Sequence, residues 1–346
     1  MPSKAIVRVC AVATTLAFGV PVHAQSNFYE GKTVSLIVAN AAGGGYDASA
    51  RALARHMKKY IPGVANVIVK NMPGAGGLVA ANHMYTVAEP DGLTFALLSR
   101  SSPLQPTLGF SAAKFKAENF TWLGTSSSYA DSAYFLVTMA ESPFQTVADL
   151  RKPGKPAQIG GLAAGGTDTD VVLVAKDVLK LNLQLVRGYK GSGEIGLAME
   201  RGEIHGRAIG WAPLQIGAYG RFIKENRLRF LIQFGRENRW EKMPDVPTAR
   251  ELTTSPEDRA LIELVELPFK VTYPYVAPPN VPKDRVQVLQ SAFMKTFQDP
   301  EYLEEGKKLA LDVSPLDGPT VQTMIARLAQ LPPSLIARYK AILEGK

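Results

Sequence analysis

The chain has 346 residues, 39 Lys and Arg against 31 Asp and Glu, and a formal net charge of +8. Its single cysteine, Cys10, excludes an internal disulfide and a thiolate-ligated metal centre. The positive charge is spread along the chain without a run of five, which is a mild bias towards anionic ligands and no footprint for nucleic acid.

The first 24 residues read as a secretory signal. Lys4 and Arg8 make a basic start, Val9 to Val20 is a short apolar run, and Val22-His23-Ala24 ends in a small residue before Gln25. The run is too short to span a bilayer, which takes about 20 apolar residues. The segment Val7-Arg8-Val9 lacks the small residues that precede an acylated cysteine. The expected mature chain, 25–346, is soluble, exported to the periplasm and of two-domain length.

Val34–Ala39 is an apolar run of strand length. Three glycines, Gly43 to Gly45, follow it. Ala50, Leu53, Ala54, Met57 and Ile61 then recur at helical spacing until Pro62-Gly63. Val67–Val69 is a second short strand, Asn71-Met72-Pro73-Gly74-Ala75-Gly76-Gly77 a second glycine loop, and Leu78, Ala81, Tyr85 and Ala88 mark a helix. Thr94–Ser99 is a third strand after the turn at Pro90-Asp91-Gly92. This alternation predicts βαβ units and a largely parallel sheet. Further strands are predicted at Phe135–Thr138, Ala157–Gly161, Val186–Tyr189, Ala208–Trp211, Leu228–Phe234 and Lys270–Ala277. Long helices are predicted at Lys283–Phe297 and Thr320–Gly345, the latter broken at Pro332-Pro333.

The loop Ala163-Ala164-Gly165-Gly166-Thr167-Asp168 echoes Ala41-Ala42-Gly43-Gly44-Gly45-Tyr46-Asp47, and each stands between a strand and a helix. Such a loop offers unpaired backbone N–H groups and the positive end of a helix dipole, which suits an anion. Asp47 and Asp168 suit helix capping, and a carboxylate beside a bound anion also requires a cap or a bridging water.

Several chemistries fit poorly. Gly43-x-Gly45-x-x-Ala48 matches a dinucleotide fingerprint, so an exported dinucleotide-dependent oxidoreductase is the alternative function. That motif needs an acidic residue about 20 positions on, and none occurs between Asp47 and Glu89. Gly31-Lys32-Thr33 lacks the upstream glycine of a P-loop. His56, His83 and His205 form no paired zinc motif, and no G-x-S-x-G nucleophile turn occurs. The expectation is therefore a binding protein, not an enzyme, with no cofactor and no metal.

Val38-x-x-Ala41-Ala42-Gly43-Gly44-Gly45-x-Asp47-x-x-x-Arg51, Asn71–Gly77, Pro90-Asp91-Gly92-x-Thr94, Gly166-Thr167, Tyr189-Lys190-Gly191, Pro244–Thr248 and Ala277-Pro278-x-x-Val281-Pro282 occur in order along the chain. Together they resemble the TctC/Bug family, the periplasmic solute-binding receptors of tripartite tricarboxylate transporters. The resemblance implies a two-lobed α/β Venus-flytrap receptor with mixed, mostly parallel sheets. Its lobes would be 25–125 plus 250–346, and 126–249. It further implies a small organic carboxylate or dicarboxylate, aliphatic or aromatic, held in the cleft by Asn40 to Asp47 and Ala164 to Asp168. A membrane permease would be its partner, and the receptor would act as a monomer.

Some positions depart from the family pattern. Asn40 stands where an aromatic is usual, Tyr46 where a small residue or Thr is frequent, Asp168-Thr169-Asp170 where a histidine follows the Gly-Thr pair, and His205 where Asp is usual. Arg100 follows the third strand where small residues are frequent. It is either a surface charge or a bidentate partner for a far carboxylate. Tyr46 and Trp211 either wall the ligand or pack within a lobe.

Overall fold

The computed structural model describes residues 28–345 apart from 163, 164, 190, 216 and 329, so the signal-sequence reading lies outside the described residues. The first part of the chain runs β1 (Thr33–Val38), α1 (Gly45–Met57), β2 (Asn66–Asn71), α2 (Leu78–Thr86), β3 (Thr94–Leu97) and β4 (Thr121–Thr125). The middle contributes β5 (Tyr134–Met139), α3 (Val147–Arg151), β6 (Ala157–Gly160), α4 (Thr167–Val178), β7 (Leu183–Val186), α5 (Ser192–Glu200), β8 (Gly206–Gly210), α6 (Trp211–Leu214), α7 (Gly217–Lys224) and β9 (Leu228–Phe234). The last part adds α8 (Pro256–Lys270), β10 (Pro274–Ala277), α9 (Lys283–Thr296), α10 (Pro300–Lys308), β11 (Leu316–Asp317), α11 (Gly318–Leu328) and α12 (Pro333–Glu344).

Two mixed sheets result. One has the strand order β11-β4-β10-β3-β1-β2 and the other β7-β6-β8-β5-β9. In the first, β1 lies parallel to β2 and β3, as the intervening helices require, and β10 returns antiparallel between β3 and β4. In the second, β6 is parallel to β7 and β8, while β5 is antiparallel to β8 and β9. All six residues of β5 are buried, as a strand covered on both faces requires. Helix α8 packs against α4, and α12 against both. One apolar cluster therefore runs from Ile37 and Leu104 beside the first sheet, through Val265 and Tyr339, to Ile159 and Val171 in the second.

Two strands differ from expectation. Lys270–Ala277 is a strand only from Pro274, because α8, capped by the Ser255 side chain and opened by Pro256, continues to Lys270 with Leu261, Val265 and Phe269 buried. The strand expected at Val186–Tyr189 lies at Leu183–Val186, and the chain leaves the ladder at Gly188, whose φ is +107°. Strand β4 and helix α10, the latter capped by Asp299, have no counterpart among the expected elements.

Gly206 packs β8 tightly against β5. A Cβ there would stand 2.1 Å from the Val137 carbonyl oxygen. Gly206→Ala should cost about 1–3 kcal/mol. It should lower the urea midpoint with an unchanged slope, and a midpoint equal to the parent's would show that this backbone approach relaxes freely.

Candidate functional site

Ala41 to Gly45 are exposed, so the loop between β1 and α1 is open to solvent. The loop is held from beneath. The buried Asp47 carboxylate accepts the Gly43 N–H at 2.9 Å and Arg51 Nε at 2.9 Å through one oxygen, and Asn71 Nδ2 at 3.0 Å through the other. Asn71 Nδ2 also donates to the Asn40 carbonyl, and its own carbonyl accepts from Arg51. Gly44 is the N-cap and no side chain caps α1, so its first-turn N–H groups point outward. Asn40 Oδ1, beside this loop, is buried without a partner. The position that a dinucleotide site would give to an acid, the end of β2, is taken by the fully engaged Asn71, and the oxidoreductase alternative fails there.

The second loop repeats the device. Asp168, also buried, accepts the Leu162 N–H at 2.9 Å, and Gly166 caps α4 without a side-chain bond. Gly165 is exposed, and Gly166 and Thr167 are half-buried. Ala164 lies outside the described residues.

Arg100 stands between the two sheets. Its N–H donates to the Tyr46 hydroxyl at 3.2 Å, and that hydroxyl donates to the Thr272 carbonyl at 3.2 Å. The guanidinium lies 5.9 Å from the centre of the Phe269 ring. Tyr46, Tyr129, Tyr134 and Tyr273 surround it, and among the described residues no carboxylate pairs with it. Tyr46 and Tyr273 meet edge to face at 4.9 Å, and Tyr134 leans on Phe269 at 4.7 Å. Burial raises the phenols of Tyr129, Tyr134 and Tyr273, so they stay neutral and able to donate. A permanently charged fork among neutral donors is suited to a carboxylate.

Trp211 is placed differently. It opens α6, and its ring joins Phe135, Phe230 and Trp240, with the Trp240 centroid 5.2 Å away. His205 joins β6 to β8, accepting the Gln158 N–H at its Nδ1. Among the described residues, His56, Asp299 and Glu301 form the one group spaced to hold a metal. Lys59 Nζ already sits 2.9 and 2.7 Å from its two carboxylates.

Beside these loops lies a cavity of about 250 Å³, walled by Gly76, Gln105, Thr167, Asp170, Pro268 and Tyr339 among others. The second glycine loop is shaped partly by packing. Gly77 has φ +96°, and a Cβ on it would stand 2.5 Å from Ser99 Oγ. The sequence carries no periodic signal for Tyr129, Tyr134, Tyr273 or Gln105, which the chain crossings bring together. Asp170 is visible only as a second acid beside Asp168.

Asp47 gives a direct test of the loop's support. Its hydrogen bond from Arg51, aided by those from Gly43 and Asn71, holds its carboxyl at about 2. The folded value lies below the unfolded one, so this stabilisation is complete above the ordinary carboxylate range and is lost as pH falls through about 2. Asp47→Asn should cost about 1–2 kcal/mol at neutral pH. It should also flatten the acid limb of the stability curve, and identical acid limbs would show that the loop stands without this charge.

A family model described as the tripartite tricarboxylate transporter family receptor, TctC, matches residues 49–336. A Cupriavidus necator protein, the UPF0065 protein in the gbd 5′ region, is 29% identical over 349 residues, covering 98% of this chain and 96% of its own. A TctC solute-binding protein from Polaromonas superposes with a TM-score of 0.68 at 21% identity, covering 92% of this chain and 100% of that one. A Rhodopseudomonas palustris protein solved with adipate superposes with a TM-score of 0.60 at 18% identity, over 90% of this chain and 96% of its own. The fold is that of these binding proteins, and the chain belongs to the TctC family of tripartite tricarboxylate transporter receptors.

Proposed function

We propose that this chain is a non-enzymatic periplasmic receptor that captures a small organic carboxylate between two lobes and presents it to a membrane permease. In this reading residues 1–24 are removed on export, and the monomer closes by moving 126–249 against 25–125 plus 250–346. The observation that carries it is Arg100, a guanidinium with no carboxylate of its own, ringed by tyrosines from both sides of the crevice. Arg100 is half-buried and, among the described residues, without a counterion, and a ligand carboxylate that covers it supplies the missing partner. The open amides of the α1 and α4 loops add anion-binding capacity close to the same crevice. The R. palustris neighbour's adipate supports the ligand class. Asn40, with its partnerless Oδ1, and Tyr46, bonded to the Arg100 backbone, complete the wall on the α1 side. Trp211 supports that wall from within the second lobe.

Closure excludes water, so the contacts to Arg100 strengthen as the lobes meet. A thermal-shift panel of mono-, di- and tricarboxylates, aliphatic and aromatic, tests the reading. A ligand at 1,000 times its Kd should add about 4 kcal/mol of stability. A flat panel would end the carboxylate assignment. Arg100→Ala should weaken the best ligand about 100-fold or more, the usual cost of removing one partner of a buried charge pair. Arg100→Lys should recover little of it, because the bidentate fork is lost. Equal affinity of Arg100→Ala and parent would remove Arg100 from the site.

A further inference from the structure

The cavity of about 250 Å³ lies where the second glycine loop, the segment after β3, the start of α4, the end of α8 and α12 converge. Much of its wall is apolar, from Leu104, Val265, Pro268 and Leu343. Ser101, Thr167 and Tyr339 bring hydroxyls to that wall, and Gln105 and Asp170 bring the two acceptors that matter here. Gln105, only 6% exposed, donates from Nε2 to the Gly76 carbonyl at 3.3 Å. That bond fixes the amide's orientation and leaves Oε1 buried with no donor. Asp170, on the first turn of α4, accepts from the Thr169 hydroxyl at 3.3 Å. Burial pushes its carboxyl up to about 7, against the pull of Arg187. Among the described residues the Gln105 oxygen is an acceptor short of a donor, which costs free energy until one reaches it, and ionised Asp170 can accept a further bond beside it.

Ligand chemistry follows from that deficit. A second carboxylate in this cavity would face the Gln105 oxygen, which offers it no donor, and ionised Asp170, which repels it. A hydroxyl or an amine on an apolar stem would meet both acceptors and fill the apolar wall. We propose that this cavity is the receptor's specificity compartment and that it selects small carboxylates whose other end carries a hydroxyl or amino donor, with Gln105 and Asp170 as the accepting residues. The inference rests on the carboxylate reading for the acid end and adds the identity of the other end.

Calorimetric titration of the receptor at neutral pH tests it with butanoate and hexanoate, their ω-hydroxy and ω-amino analogues, and adipate. At one of the two lengths a donor-bearing acid should bind about tenfold tighter, or more, than the unsubstituted acid, and tighter than adipate. Gln105→Met, close in volume and without the acceptor, should erase that ratio while changing the unsubstituted acid's affinity by no more than about twofold. Three results would overturn the inference: no gain from a donor at either length, adipate binding tightest, or a ratio that survives in Gln105→Met. Unsubstituted acids that bind without any gain from a donor would sink this inference alone. A series in which nothing binds would take the carboxylate reading down with it.

Discussion

Everything at the crevice depends on a buried carboxylate spent on backbone. Asp47 uses both oxygens to tie the base of the first glycine loop to Arg51 and Asn71, and Asp168 ties the second loop through Leu162. The negative ends are turned inward, under the helix N-termini, where the dipole favours them. The start of α1 is left without a side-chain cap. An anion arriving there would meet amides already held in place, with little ordering entropy left to lose.

Each sheet packs one face into a core of its own, around Leu36 and Phe95 in the first and Phe135 and Phe222 in the second, and the other faces share a third. This shared cluster links the sheets through α8 and α12, and the aromatic belt of Tyr46, Tyr273, Phe269, Tyr129 and Tyr134 crosses the same boundary. Arg100 sits at the end of β3 beside that belt. Its surroundings come from α1, from both chain crossings and from β5, so a change in the angle between the sheets alters its contacts before it alters either sheet.

Much of this arrangement was readable in the residues themselves. The apolar run before Gly43 and the helical spacing after Asp47 mark β1, its loop and α1, because a buried strand and an amphipathic helix leave opposite periodicities. The echo at Gly165–Asp168 was readable for the same reason. Arg100 stood out as a departure at a strand end. Of the tyrosines around it only Tyr46 stood out, beside its glycine loop; Tyr129, Tyr134 and Tyr273 share no local pattern and meet only in the folded chain. Gln105 gave no sign either, because an acceptor is orphaned only once its neighbours are in place. The segment Val271–Ala277 misleads for a physical reason. Its β-branched and aromatic residues suit a strand, but the Thr272 and Tyr273 N–H groups bond Ser127 and Thr125, in the crossing, before the ladder begins.

The position of β10 has a consequence for how the protein comes into being. It is an interior strand, flanked by β3 and β4, yet it lies about 150 residues downstream of β4. Whether the chain leaves a ribosome or a translocon, β3 and β4 emerge first and must wait with exposed hydrogen-bonding edges for the strand that separates them. During that wait β3 and β4 could pair with each other or with another chain. The strand that completes the sheet's interior therefore ties the closing of this sheet to delivery of most of the chain.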